Sequence, residues 1–305
     1  MKILITGGAG FIGSHVVVHL TTHYPAYKVV VLDRLDACAA VENLDGVPRG
    51  ARYRLVVGDV RDAGLVATLL AAEAIDTVLH FAASTHVDAS FACPLAYTSN
   101  NVGGTAVLLE AARRHAPLRR FLHVSTDEVY GSGAVGAAPP VITPPSASAA
   151  AAAGGGGGGG RGTSVPSPPP TVTPSTESAP MAPTNPYAAT KAGAELLAAS
   201  YAAAFGLPLV VTRANNAYGP GQFPEKFIPK STVRLLSGRR AFLHGDGSHR
   251  RSYMYVTDMA AAFAAARGRV AASAASAVAT ARAQLPALVR PPVRAAADDL
   301  FVALR

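Results

Sequence analysis

Lys2-Ile3-Leu4-Ile5-Thr6-Gly7-Gly8-Ala9-Gly10-Phe11-Ile12-Gly13 is a strand that runs into a glycine turn and leaves it as a helix. Gly7 permits a tight turn, Gly10 lets the backbone approach a pyrophosphate, and Gly13 allows the helix to pack closely on the sheet. The helix start adds unpaired N–H donors and positive potential. Asp33 follows 20 residues beyond Gly13, at the end of the next apolar run. An acid there is placed for ribose hydroxyls and favours NAD, because it repels a 2′-phosphate. Arg34 beside it leaves room for NADP. Asp59 and Val60 close the third run, where an adenine would be contacted.

Outward from this stretch the sequence alternates. Lys2 to Thr6, Lys28 to Asp33, Tyr53 to Gly58, Thr77 to Phe81 and Arg120 to Ser125 read as strands. Gly13 to Thr22, Gly64 to Ala72 and Asn101 to His115 read as the helices between them. Short apolar runs separated by helices predict an α/β fold, a doubly wound parallel sheet of the Rossmann, NAD-binding type. Residues 131–183 are low in complexity, with an Ala run, seven glycines from Gly154 to Gly160, and then Pro and Ser. They hold too little side chain to offset their ordering entropy, so a disordered insertion is expected. Thr184-Asn185-Pro186 then feeds a helix from Tyr187 to about Phe205. Leu207 to Thr212 reads as a strand, Phe227 to Ser237 as a helix and Ala241 to His244 as a short strand before Gly245-Asp246-Gly247. A last strand at Tyr253 to Val256 and a helix from Asp258 follow.

The net charge of +8 raises the question of nucleic acid, but Arg267 to Arg305 carries six Arg against two Asp. Half of the excess therefore sits in that tail, and the remainder lacks a basic–aromatic module, so no nucleic-acid partner is expected. No run is apolar and long enough to span a bilayer, and glycines interrupt the apolar start, so no membrane partner and a cytoplasmic location are expected. Cys38 and Cys93 have no metal-ligand spacing and read as reduced thiols, with no metal site.

Ser125-Thr126-Asp127-Glu128-Val129-Tyr130 puts a hydroxyl and two adjacent carboxylates at the C-terminal end of a strand, where open α/β sheets bind ligands. Two carboxylates in one pocket split their pKa values, so one serves as acid and the other as base. Tyr187 and Lys191 are four apart and share a helix face. A nearby ammonium favours tyrosinate, which makes the phenol a candidate general base. Hydride transfer alone needs only the last pair; the adjacent acid and base point to dehydration.

These residues resemble the extended short-chain dehydrogenase/reductase superfamily and, within it, the nucleotide-sugar 4,6-dehydratases. The matching segments are Gly7 to Gly13, His80 to Asp88, Asn101 to Thr105, His123 to Gly131, Asn185 to Glu195, Arg213 to Gly219, Gln222 to Lys230 and Gly245 to Tyr255. Thr126-Asp127-Glu128 separates these enzymes from the related sugar epimerases. Thr85-His86-Val87-Asp88, Thr190-Lys191-Ala192-Gly193 and Asn215-Asn216-Ala217-Tyr218 are closer to the UDP-glucose type than to the dTDP-glucose type. The resemblance implies catalysis by Thr126, Asp127, Glu128, Tyr187 and Lys191. It implies NAD contacts from Gly7, Gly10, Phe11, Ile12, Gly13, Asp33, Asp59, Val60, Ala82, Ala83, Tyr187 and Lys191. His86, Asn216, Lys226 and Arg251 then face the nucleotide-sugar substrate, Arg251 as a diphosphate ligand. A homodimer through the helices at Asn101 and Tyr187 is implied as well.

The sequence departs from that pattern in two places. The insertion at 131–183 separates two active-site segments that the family joins compactly. After about residue 266 the family continues into a lobe for the base and ribose, for which this sequence has no counterpart. The expectation is one NAD-binding unit over 1–266 with an incomplete small C-terminal substrate lobe, followed by an Ala/Arg-rich tail over 267–305. A UDP-glucose or dTDP-glucose 4,6-dehydratase is the leading reading. The alternatives are a catalytically impaired NAD-binding remnant and a UDP-sugar 4-epimerase.

Overall fold

A computed structural model describes residues 1–131, 175–242 and 251–267. In chain order the first half contains β1 (Lys2–Thr6), α1 (Phe11–His23), β2 (Lys28–Asp33), β3 (Tyr53–Val57), α2 (Ala63–Ala72) and β4 (Thr77–His80). Two short helices follow, α3 (Val87–Ala92) and α4 (Pro94–Tyr97), then a π-helical turn at Thr98–Gly103 that leads into α5 (Gly104–Arg114). β5 (Arg120–Thr126) ends in a 3-10 turn at Asp127–Tyr130. The second half holds α6 (Pro186–Phe205), β6 (Leu209–Ala214), β7 (Asn216–Tyr218), α7 (Phe227–Leu236), β8 (Tyr253–Tyr255) and α8 (Val256–Arg267).

Among the described residues, strands pair in the order β3-β2-β1-β4-β5-β6, every pair parallel. The reason lies in the alternation of side chains along each strand. Ile3, Ile5, Val29 and Val31 point to one face and pack with Val16, Val17 and Leu20 of α1 and Met259 and Phe263 of α8. Leu4, Val30 and Leu32 point to the other, against Val66, Leu69 and Leu70 of α2 and Leu108 and Leu109 of α5. Strands buried on both faces have no polar side to show, which is why they read as unbroken apolar runs. Each large side chain buried this way is worth about 1.5–3 kcal/mol. The doubly wound expectation is met, and the strand order reverses between β1 and β4, where such sheets open a crevice.

The differences from the expected elements have local causes. The helix expected from Asn101 begins instead as the π-helical turn, which brings both Asn100 and Asn101 inward. β7 is too short to be signalled by sequence; it exists through parallel pairing with β8, Asn216 opposite Tyr253 and Tyr218 opposite Tyr255. Ala182 N donates to Val129 O at 2.9 Å, so the end of the 131–183 segment is tied down rather than loose. Residues 132–174, the Gly245-Asp246-Gly247 turn and the tail from 268 lie outside the described residues. Of the strand expected at Ala241 to His244, Ala241 and Phe242 belong to no element and the rest lies outside the described residues. No helix among the described residues is long and apolar enough to cross a membrane.

Candidate active site

The crevice is a cavity of about 1050 Å³ running across the C-terminal ends of the parallel strands. Its wall collects Gly7, Gly10, Phe11, Ile12, Gly13, Asp33, Asp59, Val60, Ala82 and Ala83 at one end. Thr126, Asp127, Glu128, Tyr187 and Lys191 line it as well, together with Asn216, Lys226 and Arg251. His86 is the exception: it does not line the cavity, although its neighbour Thr85 does, as does Glu225, whose Oε2 lies 3.5 Å from His86 Nδ1.

The glycine turn is built for close approach. Gly7 has φ +71°, and a Cβ there would lie 2.6 Å from Ala82 N; a Cβ on Gly13 would lie 2.2 Å from Gly7 O. A Cβ on Gly10 would meet Gly7 O at 3.3 Å, a tight contact but a milder one than at Gly7 or Gly13. Gly10 is the N-cap of α1 and supplies no side-chain cap, leaving first-turn N–H groups for an anion. Asp33 fixes the turn by accepting from Ala9 N and Leu35 N, both at 2.9 Å, one on each carboxylate oxygen. Each oxygen keeps a lone pair for a hydroxyl donor.

At the other end the Thr126 side chain lies beside Tyr187 and favours its ionised form. Thr126 Oγ1 donates to Asp127 Oδ1 at 3.2 Å and accepts from Glu128 N at 3.3 Å. Burial, and after it the Glu128 carboxylate, pushes the Asp127 carboxyl up to about 6. Asp127 thereby keeps its proton to a higher pH than an ordinary aspartate. Glu128 Oε2 accepts from Asn185 Nδ2 at 3.2 Å.

Tyr187 behaves otherwise than expected. Burial first, then the Glu128 carboxylate, drives its pKa well above that of an ordinary phenol, against the effect of Thr126. Lys191 does not draw it towards tyrosinate here. Its Nζ donates to Val124 O at 2.5 Å and burial lowers the ammonium to about 8. The site thus gathers a neutral phenol, a carboxyl that keeps its proton up to about 6, a second carboxyl and a buried lysine lowered to about 8, a set able to move protons in both directions around one ligand.

Sequence reasoning missed several supporting residues. Asn185 was legible as an N-cap before Pro186, but its hold on Glu128 was not. Glu225, with its side chain only 9 % exposed, sits against His86 and Lys226 and was given no role. Asn101 donates from Nδ2 to Thr190 Oγ1 at 2.9 Å and to Ser84 O at 3.1 Å, linking the crevice loop to α6. Thr190 Oγ1 in turn donates to Tyr187 O at 2.7 Å.

A family model described as GDP-mannose 4,6 dehydratase matches residues 4–140, and one described as NAD dependent epimerase/dehydratase family matches residues 161–278. The chain is 46% identical over 262 residues to a trifunctional UDP-glucose 4,6-dehydratase/UDP-4-keto-6-deoxy-D-glucose 3,5-epimerase/UDP-4-keto-L-rhamnose-reductase of Arabidopsis thaliana, covering 86% of this chain and 34% of that protein. It thus spans about a third of the length of that plant relative. It is 41% identical over 273 residues to a dTDP-glucose 4,6-dehydratase of an Actinoplanes species, covering 88% of this chain and 73% of that one. Among solved structures, a dTDP-glucose 4,6-dehydratase from Streptomyces venezuelae, with NAD and TYD bound, matches with a TM-score of 0.71 at 39% identity over 87% of this chain and 71% of that one. With the Thr126-Asp127-Glu128 triplet and Tyr187 gathered on one crevice, the chain belongs to the nucleotide-sugar 4,6-dehydratases of the NAD dependent epimerase/dehydratase family.

Proposed function

We propose that this protein is an NAD-dependent hydro-lyase that converts UDP-glucose to its 4-keto-6-deoxy sugar. The observation that carries the reading is the Asp127–Glu128 pair beside Tyr187 and Thr126 in a single cavity. The glycine turn, the uncapped start of α1 and Asp33 fit a dinucleotide. Gly7, Gly10, Phe11, Ile12 and Gly13 would hold its pyrophosphate, and Asp33 its ribose. Asp59, Val60, Ala82 and Ala83 would flank the adenosine half, with Tyr187 and Lys191 at the reactive end. When bound, NAD supplies an acceptor for the hydride of sugar C4 and returns it to C6.

The chain's own groups move the protons. Thr126 orients the sugar O4, and Tyr187 takes its proton, with Lys191 on the same helix face to balance the developing charge. The resulting ketone acidifies C5–H, and Glu128 removes that proton. Asp127, whose proton burial and the Glu128 carboxylate hold to a higher pH, donates to O6 as water leaves. Asn216, Lys226 and Arg251 are proposed to hold the nucleotide sugar, the Arg251 fork suiting diphosphate oxygens. His86 acts through Glu225. β7, β8 and α7 would be the described part of the substrate lobe within a unit over 1–266. The higher identity to the plant UDP-glucose enzyme than to dTDP-glucose enzymes supports UDP-glucose as substrate. Exposed Leu196 of α6, 61% accessible, supports a homodimer through the helices at Asn101 and Tyr187.

Purified protein incubated with NAD⁺ and UDP-glucose or dTDP-glucose is expected to form a 4-keto sugar that absorbs in alkali, without net cofactor reduction. Tyr187→Phe is expected to lower kcat by about 10²–10⁴-fold. Inversion at C4 alone overturns this in favour of an epimerase, and NAD⁺ binding without any turnover in favour of an impaired remnant.

A further inference from the structure

An arginine directly after the acid at the end of β2 is suited to a 2′-phosphate, so what Arg34 already holds decides what this end of the cleft accepts. Each of its three nitrogens already has a partner. Nε and Nη2 donate to Asp36 Oδ2 at 3.2 and 2.9 Å, and Nη1 donates to Asn100 Oδ1 at 3.0 Å. Nη1 also lies 3.8 Å from Asp59 Oδ2. Asp36 is fixed in turn, its Oδ1 accepting from Cys38 N at 3.1 Å.

The backbone commits the chain to this arrangement. Leu35, between the arginine and its partner acid, has φ +56°, a left-handed conformation rare outside glycine. That turn brings Leu35 N onto Asp33 Oδ1 while Arg34 folds back onto Asp36. The π-helical turn supplies the third anchor, since it carries Asn100 inward, where Nδ2 donates to Ser84 Oγ at 3.0 Å and Oδ1 is left to face Arg34. Asp33, Arg34, Asp36 and Asp59 all line the cavity, with Asp59 held by Arg61 as well, Nη2 to Oδ2 at 2.6 Å.

We propose that Asp36 is a specificity residue: by occupying Arg34 it denies a 2′-phosphate the cation that directly follows Asp33 and adds a repelling charge, so the cleft takes NAD and rejects NADP. This rests on the dinucleotide reading given under Proposed function. Asn100, which lines the cavity beside Arg34, is the second half of the lock, since its Oδ1 accepts from the remaining guanidinium nitrogen.

The test is equilibrium binding of NAD⁺ and NADP⁺ to the full chain by calorimetry. Asp36→Asn keeps Oδ1 for Cys38 N and turns an amide towards Arg34, which that amide cannot accept from. The ratio of NADP⁺ to NAD⁺ dissociation constants is expected to fall at least tenfold, more at low salt, with 2′,5′-ADP gaining affinity in parallel. Asp36→Ser, also uncharged, is expected to act in the same direction. In Asp36→Asn combined with Arg34→Ala the ratio is expected to return towards the wild-type value. NAD⁺ binding with an unchanged ratio in both single variants overturns the inference alone, as does a gain left undiminished by removal of Arg34. Wild-type protein that binds neither dinucleotide overturns the cofactor reading and this inference with it.

Discussion

Asn185 holds Glu128: its Nδ2 donates to Glu128 Oε2 across 3.2 Å, while its Oδ1 accepts from Ala188 N at 2.8 Å and starts α6. One side chain therefore begins the helix that carries Tyr187 and aims the carboxylate proposed to take the sugar C5 proton.

The two duties separate by substitution. Asn185→Ala loses both, and the lost cap costs about 1 kcal/mol of stability. Asn185→Asp keeps the cap but sets a second carboxylate against Glu128. Thermal unfolding is expected to stay near wild type in the Asp variant and to drop in the Ala variant, while kcat falls by about 10²-fold in both. Wild-type kcat in Asn185→Asp would reduce Asn185 to a helix cap.

Gly13 and Gly64 make a matched pair, since both lie in the first turn of a helix and only one is at the crevice. A Cβ on Gly13 would meet the Gly7 carbonyl oxygen at 2.2 Å, whereas a Cβ on exposed Gly64 of α2 meets nothing closer than Asp62 Oδ1 at 3.4 Å. Gly13→Ala is expected to cost about 1–3 kcal/mol by overpacking and to loosen NAD⁺ binding at least tenfold by titration. Gly64→Ala is expected to gain about 0.4–1 kcal/mol and leave the titration alone. Equal effects would show that the turn at Gly7 can yield.

How much of this was legible in the sequence depends on what causes each feature. β1, β2 and the glycine turn are caused by residues next to one another, so a linear reading finds them. The convergence of Asp127 and Glu128 with Tyr187 was legible because strand ends and helix starts both open on the crevice. The π-helical turn was not. It exists because Asn100 must reach Ser84 and Arg34 while Asn101 reaches Ser84 and Thr190, and those partners come from three other segments. An ordinary α-helical turn aims adjacent residues about 100° apart, so an extra residue is accommodated as a bulge. The neutral state of Tyr187 was illegible for a similar reason: sequence spacing shows Lys191 beside it but not that burial and Glu128 outweigh the ammonium.

Arg213 on β6 ties three pieces of the site together. Its Nε donates to both Glu195 oxygens at 3.0 Å, and its Nη1 reaches the Tyr130 hydroxyl at the end of the Asp127–Tyr130 turn and Glu177 O at 3.3 Å. Both charged side chains are only 6% exposed. Removing one partner strands the other charge, so Arg213→Met is expected to cost about 3–5 kcal/mol in denaturant unfolding. Arg213→Met with Glu195→Leu is expected to recover most of that stability. Activity stays low in the double variant, because Tyr130 and the turn it closes have lost their anchor. Full recovery of kcat would detach this pair from the site.

The Asp127 carboxyl also sets a pH dependence of stability. In the folded chain it holds its proton up to about 6, whereas the unfolded chain releases it near the ordinary 3.8. The folded state therefore binds more protons between those values, and stability from this group falls as pH rises across that window, the loss being complete above it. Asp127→Asn keeps the shape and the Oδ1 that Thr126 reaches but cannot ionise, so it escapes the penalty. Relative to wild type it is expected to gain about 1–2 kcal/mol between pH 4 and pH 7.5, after discounting the shift for partial solvent access, read as a widening gap in unfolding midpoints. Dehydration is expected to disappear in the same variant, since O6 then has no proton donor. A gap that stays constant with pH would show that Asp127 is ionised throughout, and with it the assignment of Asp127 as the acid would fail.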